Sequence, residues 1–156
     1  MSNPPRPVIN ATTVEVSAGP GGPPGFSIRV RQLGSPLGAE LLGATVYELD
    51  PGAHAGPYHY EIGNEECLLV LAGTPTLRHP EGRDVLEAGD MVMFPEGEPG
   101  AHELINESAA VARVLILSTK RQPRACVYPD SGKFSALGRV FRFAEAGDSW
   151  DGESVG

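Results

Sequence analysis

The sequence predicts an all-β protein, an antiparallel sandwich or barrel, and three observations carry that expectation. Its 156 residues include 20 glycines and 15 prolines, while its apolar segments are short and rich in Val, Leu and Ile, the composition of brief strands joined by turns. Those segments recur at turn-limited spacing, with no room for crossover helices. No long stretch carries the apolar period of an amphipathic helix.

Taken in order, residues 1–25 read as a loose arm. Met1 to Ala11 holds three prolines, Thr12 to Val16 is a candidate edge strand, and Gly19-Pro20-Gly21-Gly22-Pro23-Pro24-Gly25 is loop by composition. From Phe26 the pattern alternates, with Phe26, Ile28 and Val30 on one face and Arg29 and Arg31 on the other. Leu41 to Leu49 is the next strand and stops at Asp50-Pro51-Gly52, a strong turn signal. Cys67 to Ala72 is too short for an ordinary helix and reads as a buried strand. Thr76-Leu77-Arg78 and Asp84-Val85-Leu86 flank the hairpin turn His79 to Arg83. Met91 to Phe94, His102 to Ile105 and the most apolar run, Val111 to Ser118, complete the main series. Beyond Gln122, Cys126 to Tyr128 and Val140 to Phe143 are strands around a turn from Pro129 to Lys133. The folded unit is thus expected over 26–143. An acidic tail over 144–156 is expected to lie exposed, with Trp150 its one feature that favours docking.

Length and charge bound the function. A chain of this size is one domain able to bury a real core. A formal charge of −8 argues against a nucleic-acid partner, which needs clustered Lys and Arg. Lys120, Arg121 and Arg124 form the single basic cluster and read as a solvated strand end. Cys67 and Cys126 lack CxxC spacing and read as small buried apolar residues. No apolar run has the length of a membrane span, and nothing at the N-terminus resembles a secretory signal, so a cytoplasmic protein with no membrane partner is expected. The sequons at Asn10 and Asn106 then carry no consequence. Gly132-Lys133 lacks the upstream glycine of a phosphate loop, because position 127 is Val.

The chemistry concentrates between Pro51 and Gly73. On a strand, His59 and Glu61 leave the same face. Glu66 follows the Gly63-Asn64 turn and opens the next strand, which could lie beside the first, and His102 arrives after the Pro95 to Gly100 turn. Two imidazoles and two carboxylates give mixed nitrogen and oxygen ligation, and burying that many acids without a cation would be costly. Glu65 should point outward, His54 and His79 read as exposed loop and hairpin residues, and Asn106 reads as a turn residue.

Gly52, His59, Glu66 and Gly73, followed by Gly89, Pro95, Gly97, His102 and Asn106, resemble the two signature blocks of the small single-domain cupins. Spacing differs by one extra residue after Gly52 and two before His102, and Glu61 stands where the second histidine of the first block is usual. A loop tip absorbs extra residues readily. The resemblance implies a double-sheet jelly-roll barrel with metal ligands at His59, Glu61, Glu66 and His102. Such a set suits Mn, Fe, Co, Ni or Zn rather than Ca or Mg. Glu61 has three readings: ligand, acceptor orienting a histidine, or catalytic acid or base. The expected function is a metal-dependent enzyme acting on a small organic molecule inside the barrel, with dioxygenase, isomerase, decarboxylase or lyase chemistry. The alternative is a non-catalytic module that binds or senses a metal or small ligand. Tyr47, Tyr58, Phe94, Leu104 and Leu115 are the expected barrel wall. A homodimer is expected, because sheet edges need covering.

Overall fold

The computed structural model describes residues 7–154. Its strands are β1 (Ser17–Ala18), β2 (Ile28–Gln32), β3 (Leu42–Leu49), β4 (Tyr60–Ile62), β5 (Glu66–Ala72), β6 (Thr76–His79), β7 (Gly82–Val85), β8 (Met91–Phe94), β9 (Glu103–Ile105), β10 (Ala112–Thr119), β11 (Ala125–Tyr128), β12 (Lys133–Ala136) and β13 (Arg139–Arg142). One layer is a six-stranded sheet ordered β1-β2-β3-β10-β5-β8; the other has two parts, β13-β12-β11-β4 and β7-β6-β9. Every recorded pairing is antiparallel. The fold is the double-sheet jelly roll that the sequence predicts, with its sheets left unclosed.

Alternation explains the packing. Val114 and Ile116 on β10, Leu49 on β3, and Leu68 and Val70 on β5 face inward, where they meet Leu77 of β6 and Leu104 of β9. Leu49, Leu68 and Val114 are wholly buried, each contributing about 2 kcal/mol of apolar burial. The two parts of the second layer meet at an isolated bridge, in which His59 and His102 exchange backbone hydrogen bonds of 3.0 and 2.8 Å. The seam between these part-sheets therefore falls on the two candidate histidines.

Three details differ from the sequence reading. The edge strand is Ser17–Ala18, not Thr12 to Val16, because Asn10 organises a turn there: its side-chain oxygen accepts from both the amide and the hydroxyl of Thr12. Ala11 and Val14 carbonyls are held by the Arg113 guanidinium. β12 was not anticipated; it turns back into β13 through Leu137 and Gly138, both at positive φ (52° and 73°), a geometry usually marked by Asn-Gly. Leu115 lies between the inward Val114 and Ile116, so it faces away from the interior rather than lining it. Of the tail, Trp150 is 79% exposed and does not dock. Residues 1–6 of the expected arm and 155–156 of the tail lie outside the described residues.

Candidate metal centre

Glu66 opens β5 at the inner face of the six-stranded sheet, paired with Phe94 of β8 and Ser118 of β10. Its Oε2 is buried and has no hydrogen-bond partner. Two imidazoles converge on that oxygen: His59 Nε2 lies 3.8 Å away and His102 Nε2 3.6 Å away. Their other ring nitrogens are tied back to the chain, His59 Nδ1 to the Pro57 carbonyl at 2.8 Å and His102 Nδ1 to the Gly100 carbonyl at 2.9 Å. A carbonyl only accepts, so each Nδ1 carries the proton. Each Nε2 then presents a lone pair toward Glu66, the tautomer a metal-binding histidine needs.

The supports of this trio are specific. His102 is 4% exposed, and its ring stacks on Phe94 with centroids 3.7 Å apart and planes 9° from parallel. The Pro95 to Gly100 turn delivers it; a Cβ on Gly100 would lie 1.8 Å from the Pro95 carbonyl oxygen, so only glycine closes that turn. Asn64, buried at the β4–β5 turn, accepts from the Thr119 hydroxyl at 3.1 Å and the Arg121 amide at 2.8 Å. That clamp fixes where Glu66 begins.

Burial pushes the Glu66 carboxyl up to about 7, with the negative charge of Glu61 adding to the shift. Burial likewise pushes His102 down to about 4, helped by its neighbour His59. Both shifts describe a pocket that resists charge when empty and would favour a cation. Ligand atoms of His59, Glu66 and His102 lie within 4.8 Å of one another. Two imidazole nitrogens and one carboxylate, with an orphaned buried oxygen at their centre, fit a divalent transition-metal ion.

Glu61 does not complete a single four-residue cluster. It groups instead with His59 and Cys126, again within 4.8 Å. Its Oε1 is 4.0 Å from Arg124 Nη1, and its Oε2 is buried without a partner. Beside these residues lies a cavity of about 610 Å³ lined in part by Tyr47, His59, Glu61, Glu66, Arg124 and Tyr128. Cys126 also lines it, and burial pushes that thiol up to about 12, with Glu61 and Glu66 adding to the shift and Tyr128 opposing it.

Of the expected wall residues, Tyr47 lines this cavity, whereas Phe94 and Leu104 belong to the core. Tyr58 lies under the Arg78 guanidinium, 4.1 Å from its ring centroid. Glu65 is exposed and Asn106 is a buried turn residue, both as expected. His54 is not a free loop residue: its Nδ1 lies 2.7 Å from Glu103 Oε1, and Arg78 bridges Glu103 to Asp130. Sequence reasoning missed Arg124, Tyr128 and Cys126 as cavity residues. Their strand follows a weak stretch of pattern, and the one available signal was the alternation that puts Arg124, Cys126 and Tyr128 on one face.

The family model described as "Cupin domain" matches residues 45–118. No curated protein matches the sequence. Among solved structures, the chain is similar to a sugar phosphate isomerase from a cupin superfamily of Silicibacter pomeroyi, at 23% identity and TM-score 0.78, covering 93% of this chain and 98% of that one. It is similar to a polyketide cyclase from Streptomyces resistomycificus, at 21% identity and TM-score 0.59, over 76% of this chain and 82% of that one. A predicted oxalate decarboxylase from Thermotoga maritima aligns at 17% identity and TM-score 0.61, over 73% and 99%. These likenesses concern the fold. Among the described residues no helix is long and apolar enough to cross a membrane. With the two signature blocks, the jelly-roll topology and the matched segment in agreement, residues 45–118 form a cupin domain.

Proposed function

We propose that the protein is a metal-dependent enzyme that holds one divalent transition-metal ion between His59, Glu66 and His102 and acts on a small organic molecule in the adjoining cavity. The observation that carries this reading is the pair of Nε2 lone pairs, each set by a backbone carbonyl on the far side of its ring, aimed at one buried and unpartnered carboxylate oxygen. When bound, such an ion supplies a Lewis acid with coordination positions open toward the cavity.

The chain supplies the rest. Tyr47, Arg124 and Tyr128 offer polar groups that orient a substrate, and an arginine at the cavity edge suits an anionic or carbonyl oxygen. Glu61 carries a carboxylate beside the same space and is placed to take a proton from, or return one to, a substrate carbon next to a polarised carbonyl. Isomerase and decarboxylase chemistry both use that step, and the names of the similar structures include both types. We assign Mn, Fe, Co, Ni or Zn as the candidate ions, and a homodimer as the working assembly.

The experiment is metal analysis of protein purified without added metal, followed by turnover of a panel of small oxo- and hydroxy-acids and sugar phosphates. Activity lost on chelation and restored by one ion supports an enzyme. Ligand binding with no turnover across the panel would replace it with a binding module, and absence of bound metal would remove both.

A further inference from the structure

A second set of ligand atoms, from His59, Glu61 and Cys126, faces the same cavity. Strands β4 and β11 are antiparallel neighbours in which Glu61 sits directly across from Cys126, so the two side chains leave the sheet on one face. By strand alternation, His59 shares that face with Glu61. Glu61 Oε2 is buried with no hydrogen-bond partner, and Cys126 is a free thiol on the cavity wall. A nitrogen of His59, an oxygen of Glu61 and Sγ of Cys126 lie within 4.8 Å of one another.

We propose that His59, Glu61 and Cys126 form a second coordination position, built for a thiophilic divalent cation such as Zn²⁺, Co²⁺ or Cd²⁺. Sulfur ligation separates it chemically from the nitrogen and oxygen set of His59, Glu66 and His102, which suits harder ions. The two positions share one lone pair. His59 Nδ1 is occupied by the Pro57 carbonyl, leaving Nε2 to serve one ion at a time. They therefore exclude each other: Mn and Fe favour the first, Cd²⁺ the second, and Zn²⁺ and Co²⁺ divide between the two. On binding, the Sγ–H bond breaks, the proton leaves to solvent and a sulfur–metal bond forms, with no change in oxidation state. The position shares His59 with the first trio but requires neither Glu66 nor His102.

Cobalt(II) titration followed by absorption spectroscopy tests this on the full chain, in the native protein and in Cys126→Ser and Glu66→Gln variants. The native protein should show visible d–d bands together with a thiolate-to-cobalt charge-transfer band in the near ultraviolet. Cys126→Ser should lose that band and bind Cd²⁺ at least about tenfold more weakly, while Glu66→Gln should keep the band. Visible bands with no charge-transfer band in both the native protein and Glu66→Gln would overturn the second position; an unchanged band in Cys126→Ser would overturn it too. No cobalt uptake by any form would sink both. A measurement without substitutions runs in parallel: Cd²⁺ should protect Cys126 from alkylation while Cys67 reacts at its usual rate, and equal reaction of Cys126 with and without Cd²⁺ contradicts the proposal.

Discussion

Glu66 combines two demands that oppose each other in the absence of a cation: burial favours its neutral form, and coordination needs its anion. A carboxyl whose folded pKa stands near 7 against an ordinary 4.5 stabilises the folded state only while protonated. Metal-free protein should therefore lose about 3 kcal/mol as pH rises from 4.5 through about 7. His102 acts in the other direction. Its folded pKa near 4 against 6.5 means stability is lost as pH falls through that interval. The ion must displace the Glu66 proton but finds His102 already neutral, so apparent metal affinity should rise about tenfold per pH unit below about 7 and level off above it. Isothermal titration at several pH values reads this directly, and a flat profile from pH 5 to 8 would exclude Glu66 as a ligand.

The same residue gives a second prediction. Glu66→Gln keeps the shape and removes the charge, so the metal-free variant at about pH 8 should be more stable than the native protein by about 2 to 3 kcal/mol while losing affinity for Mn²⁺. Chemical denaturation with chelator present measures the first effect and metal binding the second. Destabilisation of the chelated variant would show that the carboxylate is not under the strain assigned to it.

Elements hold these residues in place, and the turn before β9 is the most demanding. Gly100 leaves no space for a Cβ against Pro95, and its carbonyl also holds His102 Nδ1. Gly100→Ala should cost about 3 kcal/mol and weaken metal binding together with stability. A fold of native stability in that variant would show that the turn has room to relax. Asn106 plays a comparable part between β3 and β10: wholly buried, it donates to the Leu49 and Ala110 carbonyls at 2.8 and 2.7 Å. Asn106→Ala should cost about 2 to 3 kcal/mol by leaving those carbonyls unpaired, with metal binding per folded molecule unchanged.

What could be read in advance follows this division between local and long-range causes. Strands such as β3, β5 and β10 declare themselves through runs of Val, Leu and Ile closed by Pro-Gly or Gly. His59, Glu66 and His102 were legible because fixed spacings carry them. β12 escaped because its turn uses Leu137 in a left-handed conformation that no residue type advertises. Cys126 and Arg124 escaped because their importance comes from pairing across to β4, more than sixty residues earlier. The same cross-strand placement set Glu61 beside Cys126 rather than at the centre of one four-residue site.

At the scale of the whole molecule, the cavity and the two histidines sit where the part-sheets of the second layer meet, joined there by the backbone bridge between His59 and His102. A junction there lets two independently braced pieces bring ligands together against Glu66 on the facing sheet. At the edge of the six-stranded sheet, β8 leaves Met91 and Met93 61% and 60% exposed, an apolar edge strand of the kind that association covers. A homodimer should therefore appear by light scattering, and replacing both methionines with Asp should shift it to monomer. A native protein that is monomeric at working concentration would remove that assembly.

The central claim is that His59, Glu66 and His102 grip one ion. A crystal of the protein grown with Mn²⁺, measured at the manganese absorption edge, tests it most directly. The account predicts one anomalous peak at about 2.0–2.3 Å from both Nε2 atoms and from a Glu66 oxygen. Clear density for these three side chains with no anomalous peak among them, or a peak held elsewhere, would contradict it.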